Sequence, residues 1–276
     1  MQYNNPSIIT VAITGSVPKK IDNPTIPITV SEQIESTRKC YDAGASLVHL
    51  HVRNEDESPS SDVNKFKELL VGIKESCPNI IIQFSTGGRG RSQQERGLML
   101  TLKPDMASLA TGSVNFPTSI YENHPSLINE LAQSMLKNSI KPEIEIFDLA
   151  MLYNAFEMVK EGFLLEPIHV QFVFGIKNAL PAKKNILEFQ INELKNFLPQ
   201  STWTAAGLGK SQLIVNEWSL ELGGHCRTGL EDNIKYDKTR LANGNEELVE
   251  RLALLSEKFD RPVATPLEAR KILGLG

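Results

Sequence analysis

Short apolar runs rich in β-branched residues alternate with amphipathic segments along the whole chain. Eight runs bounded by turn residues read as strands: 8–15, 47–53, 80–88, 106–111, 141–148, 167–175, 201–209 and 225–232. Between them, 31–45, 61–78, 124–140, 150–166, 185–199 and 245–262 carry the helical period. In the second of these segments Phe66, Leu69, Leu70 and Ile73 fall on one stripe. Ser31 is the expected cap of the first, although the acid behind it, Glu35, sits one place too far for a capping box. Eight strands each followed by a helix predict a (β/α)8 barrel of the TIM type, in α/β class. A doubly wound open sheet is the rival, and eight regular units in this length favour the barrel. Nothing of linker composition divides the chain, so 1–276 is expected to form a single domain.

Composition narrows the function. Of 276 residues, 41% are apolar and 22% charged, as in soluble globular proteins. The net charge of −4 and the lack of a basic block give no support to a nucleic-acid partner. The first residues lack a cationic stretch followed by a long apolar run, so neither a signal peptide nor a membrane span is expected. Cys40, Cys77 and Cys226 form no CxxC and no even framework, which suits a reduced, cytoplasmic setting.

In a barrel, chemistry sits at the C-terminal ends of the strands. The second predicted strand contains His49 and His51, which share one face at roughly 6.5–7 Å between Cα atoms. Val48, Leu50 and Val52 take the opposite face. Two such imidazoles can converge on a divalent ion, or can be two half-buried polar residues. Glu231, at the end of the eighth strand, is the candidate third ligand: strands two and eight flank strand one in a closed barrel, and two histidines with one carboxylate form a catalytic zinc pattern. The alternative for Glu231 is a cap or surface acid. His124 reads as a helix start, His169 as core or outward-facing, and His225 as a support below the site.

The turn 85–91 (STGGRGR) offers backbone N–H groups and the Ser85 and Thr86 hydroxyls to a carboxylate or phosphate, or else needs its glycines only for geometry. Arg89 and Arg91 read as solvated charge. Arg227 and Asp232 lie close together near the proposed ion, either for proton transfer or as an ion pair closing the barrel. Arginine is a poor base, so Asp232 would be the final proton acceptor.

Several stretches together resemble the β-keto acid cleavage enzymes, a family that includes the 3-keto-5-aminohexanoate cleavage enzyme of lysine fermentation. They are 12–15 (AITG), 43–53 (AGASLVHLHVR), 81–88 (IIQFSTGG), 102–116, 142–148 (PEIEIFD), 169–175 and 226–234 (CRTGLEDNI). The resemblance implies a zinc-dependent barrel, usually a homotetramer, that converts a β-keto acid and acetyl-CoA into acetoacetate and an acyl-CoA. It places the zinc on His49, His51 and Glu231 and the proton-transfer pair on Arg227 and Asp232. The substrate carboxylate falls on the turn with Ser85, Thr86 and Gly88, a substrate-contacting hydroxyl on Ser108, and a buried acid near the substrate on Glu145. Where the lysine-fermentation enzyme has a glutamate beside the substrate's amino group, this chain has Val17, which predicts a β-keto acid with a neutral, apolar tail. The competing functions are a metal-dependent aldolase or hydrolase that needs no CoA, and a non-catalytic acid-binding barrel.

Overall fold

The computed structural model describes residues 3–276. Among these, eight parallel strands close into a barrel: β1 (Ile9–Ala12), β2 (Leu47–Leu50), β3 (Ile81–Phe84), β4 (Met106–Ala110), β7 (Lys141–Ile146), β8 (His169–Phe174), β9 (Thr202–Gly207) and β10 (His225–Thr228). A two-stranded hairpin, β5 (Val114–Asn115) and β6 (Ile120–Tyr121), rises beyond β4 and is not among the sequence expectations. β1 pairs with both β2 and β10, which closes the ring.

The helices are α1 (Val30–Asp42), α2 (Val63–Ser76), α3 (Pro125–Lys137), α4 (Leu149–Lys160), α5 (Lys184–Phe197), α6 (Gln212–Glu221), α7 (Asn245–Lys258) and α8 (Pro266–Leu273). Three differences from the expected pattern have physical causes. The capping box of α1 is Thr29 with Glu32, two residues before the expected Ser31; Glu32 accepts from the Thr29 N–H, and Thr29 Oγ1 from the Glu32 N–H. Between β3 and β4 only two short 3-10 turns form (93–95 and 98–102), because Gly97 and Pro104 leave too few residues for a helix. α6 and α8 were not anticipated, and both are short.

Strand alternation sorts the side chains. Val48, Leu50, Ile82, Phe84, Leu109 and Val170 face the helices and join the main core. Their inward neighbours start as an apolar plug at the strand N-termini, where Ile8, Leu47, Ile81 and Met106 meet Ala269 and Leu273 of α8. Farther along the same strands the inward positions turn polar: Thr10, His49, Gln83, Ser108, Glu143, His169 and Arg227 are all buried. No helix among the described residues is long and apolar enough to cross a membrane.

Candidate active site

A cavity of about 330 Å³ opens above that polar layer at the C-terminal ends of the strands. The volume suits a small acid together with the reacting end of a second molecule, not a whole coenzyme. Its lining is mixed: polar residues include His49, His51, Ser85, Arg227, Glu231 and Asp232, and apolar ones Phe116, Phe147, Val173, Ile176 and Leu208.

His49, His51 and Glu231 converge, with one ligand atom from each lying within 4.8 Å of the others. The two Nε2 atoms are 3.2 Å apart, and Glu231 Oε1 is 3.5 Å from that of His51 and 3.9 Å from that of His49. His49 Nδ1 lies 2.5 Å from Gln83 Oε1, so Nδ1 carries the proton and Nε2 turns its lone pair inward. Gln83 is the register partner of His49 on β3. It escaped the sequence reading, although a lone glutamine at an inward position beside a histidine strand was the available signal. Burial, the largest influence, drives the His49 imidazolium pKa down to about 4, which leaves a neutral ring at pH 7. Burial pushes the Glu231 carboxyl up, but His51, Arg227 and His49 outweigh it and hold the group well below the usual carboxylate range.

Glu231 does not lie on a strand, contrary to the expected 225–232 run. β10 ends at Thr228, and a turn carries the acid back over β1, where the Glu231 N–H donates to Ala12 O at 3.1 Å. Two glycines make this possible. Gly229 (φ +129) sits where a Cβ would lie 2.1 Å from Ala12 O, and Gly15 (φ +63) where a Cβ would lie 2.5 Å from Glu231 Cγ.

Arg227 donates from Nε and Nη2 to both carboxylate oxygens of Asp232, at 2.9 and 2.8 Å, and Nη2 also lies 3.0 Å from Glu231 Oε1. Burial raises the Asp232 carboxyl above its ordinary range despite this partner. Glu145, on β7, lines the cavity, and its side chain makes no hydrogen bond within the described chain. Burial, first, and then the neighbouring Glu143 and Glu231 carboxylates push it up to about 7 against the pull of Arg227.

The glycine turn divides into two layers. Ser85, Gly87 and Gly88 line the cavity. Thr86 and Ser108, expected to contact substrate, are not among the residues that line it. Both are fully buried behind the turn, where the Thr86 N–H donates to Ser108 Oγ and Thr86 Oγ1 donates to Ser108 O. Arg91, expected to be solvated, is half-buried: Nε donates to Gly87 O at 2.7 Å and Nη2 to Ser85 O at 3.0 Å. Arg96 is buried beside it, donating to Thr86 O, Glu122 O and Asn123 Oδ1. Of the remaining histidines, His124 caps α3. His169 lies 3.2 Å from Glu143 in the barrel interior, and His225 Nδ1 accepts from the Ile8 N–H.

The model of the beta-keto acid cleavage enzyme family matches residues 6–275. The chain belongs to the β-keto acid cleavage enzyme family. It is 56% identical over 270 residues to the 3-oxoadipate:acetyl-CoA acetyltransferase of Cupriavidus necator, covering 98% of this chain and 95% of that one. It is 41% identical to the 3-keto-5-aminohexanoate cleavage enzyme of Acetoanaerobium sticklandii, over 97% of this chain and 98% of that one. The apo structure of ObcA superposes with a TM-score of 0.84 at 20% identity, over 92% of this chain and 66% of that longer chain, a likeness of fold. The barrel carries the histidine pair, Glu231 and the Arg227–Asp232 pair in the lining of one cavity.

Proposed function

We propose that the protein transfers the acetyl group of acetyl-CoA in the cleavage of a β-keto acid, giving acetoacetate and a new acyl-CoA. The observation that supports this most directly is the Arg227–Asp232 ion pair opening onto the same cavity as His49, His51 and Glu231. Three acceptor atoms face one another there, and Glu231 Oε2 is buried without a hydrogen-bond donor. Such a cluster fits a divalent cation, and its two nitrogens and one carboxylate suit zinc with an open position. When bound, the ion would supply a Lewis acid for the keto oxygen.

The chain's own residues account for the rest. Ser85 and the Gly87–Gly88 backbone hold the C1 carboxylate, with Arg91 and Arg96 fixing that turn from behind. Asp232, raised in pKa and aimed by Arg227, takes a proton from C2, which lies between the carboxylate and the ketone. The C2 carbanion forms a bond to the acetyl carbonyl carbon and the CoA thiolate leaves. The thiolate then adds to C3, the C2–C3 bond breaks, and C2 regains a proton. One β-keto acid and one acetyl-CoA become one acetoacetate and one acyl-CoA. The apolar lining of Phe116, Phe147, Val173, Ile176 and Leu208 keeps water from the acyl intermediate.

For the substrate, Val17 lines the mouth of the cavity and offers no charge to an ammonium. The 56% identical relative is named for 3-oxoadipate, which has a second carboxylate at its far end. We therefore favour a 3-oxo dicarboxylate, which with acetyl-CoA would give acetoacetate and a dicarboxylic acyl-CoA. This replaces the neutral tail expected from Val17 alone. The test is turnover of a panel of β-keto acids with and without acetyl-CoA, reading acetoacetate and acyl-CoA. Cleavage independent of acetyl-CoA would favour the aldolase or hydrolase reading, and no product from any member would leave only an acid-binding barrel.

A further inference from the structure

Three arginines follow the glycine turn, and the structure uses them differently. The guanidinium groups of Arg91 and Arg96 are committed to backbone carbonyls of the turn and its neighbours. Arg89 is exposed, lines the cavity, and makes no hydrogen bond or ion pair within the described chain. The other arginine in the cavity wall, Arg227, is buried and engaged by Asp232 and Glu231 through Nε and Nη2, which leaves only Nη1 unpaired. Arg89 is therefore the exposed cavity arginine whose whole guanidinium is free for a ligand.

Its position is built rather than accidental. Gly90 adopts φ +69 against Pro59, where a Cβ would come within 3.2 Å of the proline ring. Pro59 bridges to Arg53, and Arg53 donates to Gly15 O and Pro18 O of the loop that carries Val17. The Arg89 turn and the Val17 loop thus abut the same β2–α2 loop, and Arg89 and Val17 both line the cavity. The other charged groups in the wall include three carboxylates, Glu145, Glu231 and Asp232. A second carboxylate on a substrate entering here would meet repulsion unless a cation received it.

We infer that Arg89 is the specificity-determining residue that ion-pairs with the distal carboxylate of a 3-oxo dicarboxylate, selecting it over a 3-oxo monocarboxylate of equal length. The inference rests on the function proposed above. A planar guanidinium can hold a carboxylate through two N–H donors at once, which a solvated lysine or an amide does less well.

The test compares kcat/KM for 3-oxoadipate and 3-oxohexanoate, both with acetyl-CoA, in the unmodified protein, Arg89→Gln and Arg89→Lys. The ratio favouring 3-oxoadipate should fall roughly 10- to 100-fold in Arg89→Gln and by less in Arg89→Lys. Equal losses on both substrates would overturn the inference, since Arg89 would then serve the shared C1 carboxylate. A rise in the KM for acetyl-CoA with the ratio intact would overturn it in favour of a coenzyme contact. Direct binding of adipate and hexanoate provides a readout independent of turnover. If the unmodified protein prefers adipate and Arg89→Gln does not, the inference stands even where no acetoacetate forms and the proposed reaction fails. If the preference for adipate survives in Arg89→Gln, or is absent from the start, the inference fails whatever the enzyme does.

Discussion

The two ends of the barrel treat a buried guanidinium in opposite ways. At the N-terminal end, Arg261 is 1% exposed and every guanidinium nitrogen has a carbonyl: Nε donates to Asn5 O, Nη1 to Gly224 O and Leu220 O, Nη2 to Pro6 O. An apolar plug, Ile8, Leu47, Ile81, Met106 and Leu273, fills the space beside it. At the C-terminal end, Arg227 Nη1, Gln83 Nε2 and Glu231 Oε2 are buried without a hydrogen-bond partner. Each such atom costs about 1–3 kcal/mol. A fold tolerates that cost where a ligand is to supply the missing partner, so the closed end contributes stability and the open end chemistry.

The comparison breaks if a change at one end has the signature of the other. The largest expected effect is at the closed end. Leu273→Ala should lower stability by about 2–5 kcal/mol, through lost burial and the cavity left in the plug, as read from the denaturant midpoint. Its kcat per folded molecule should match the unmodified protein, and a large drop in kcat would mean the ends are not separable.

Next comes Glu145 at the open end, measured in metal-free protein. Because burial lifts its carboxyl from 4.5 to about 7, the folded chain keeps this proton after the unfolded chain has lost it. The resulting stabilisation is complete below pH 4.5 and disappears as pH rises through 7, a change of about 3 kcal/mol across that window. Glu145→Gln should flatten this part of the stability–pH curve. An equally steep curve in the variant would assign the effect to another group.

Asp232→Asn should lower kcat about 10²-fold while leaving metal content and melting temperature nearly unchanged. Near-normal turnover would make the Arg227 pair structural, like Arg261. The smallest effect concerns Gln83. Gln83→Leu removes the acceptor that fixes the His49 ring and should weaken zinc binding about 10- to 100-fold, as followed by competition with a chelator. Unaltered zinc affinity would show that burial alone orients the ring.

His49 lies on β2 as expected, while His51 lies just past the end of that strand at Leu50 instead of within the expected 47–53 run; their approach was still legible because residues two apart in extended chain share a face. The eight-strand count was legible for the same reason. The end of β10 was not, because the run 225–232 continues in composition past Thr228, while Gly229 bends the chain over Ala12. The sequence also treats Thr86 as the equal of Ser85 and Arg91 as the equal of Arg89. Alternation sends Thr86 behind the turn toward Ser108, and the turn's own carbonyls capture Arg91.

By itself, the sequence determined the order of the eight barrel strands, the approach of the two histidines and the chemistry available to the site, since each depends on neighbours a few residues away. Only the tertiary structure decided which groups meet. Barrel closure carries Glu231 across β1 to the histidines, sheet register sets Gln83 beside His49, and burial moves Glu145 and Asp232 out of the ordinary carboxylate range. Those outcomes depend on contacts between segments far apart in the chain and on exclusion of water, and neither is written in any local pattern.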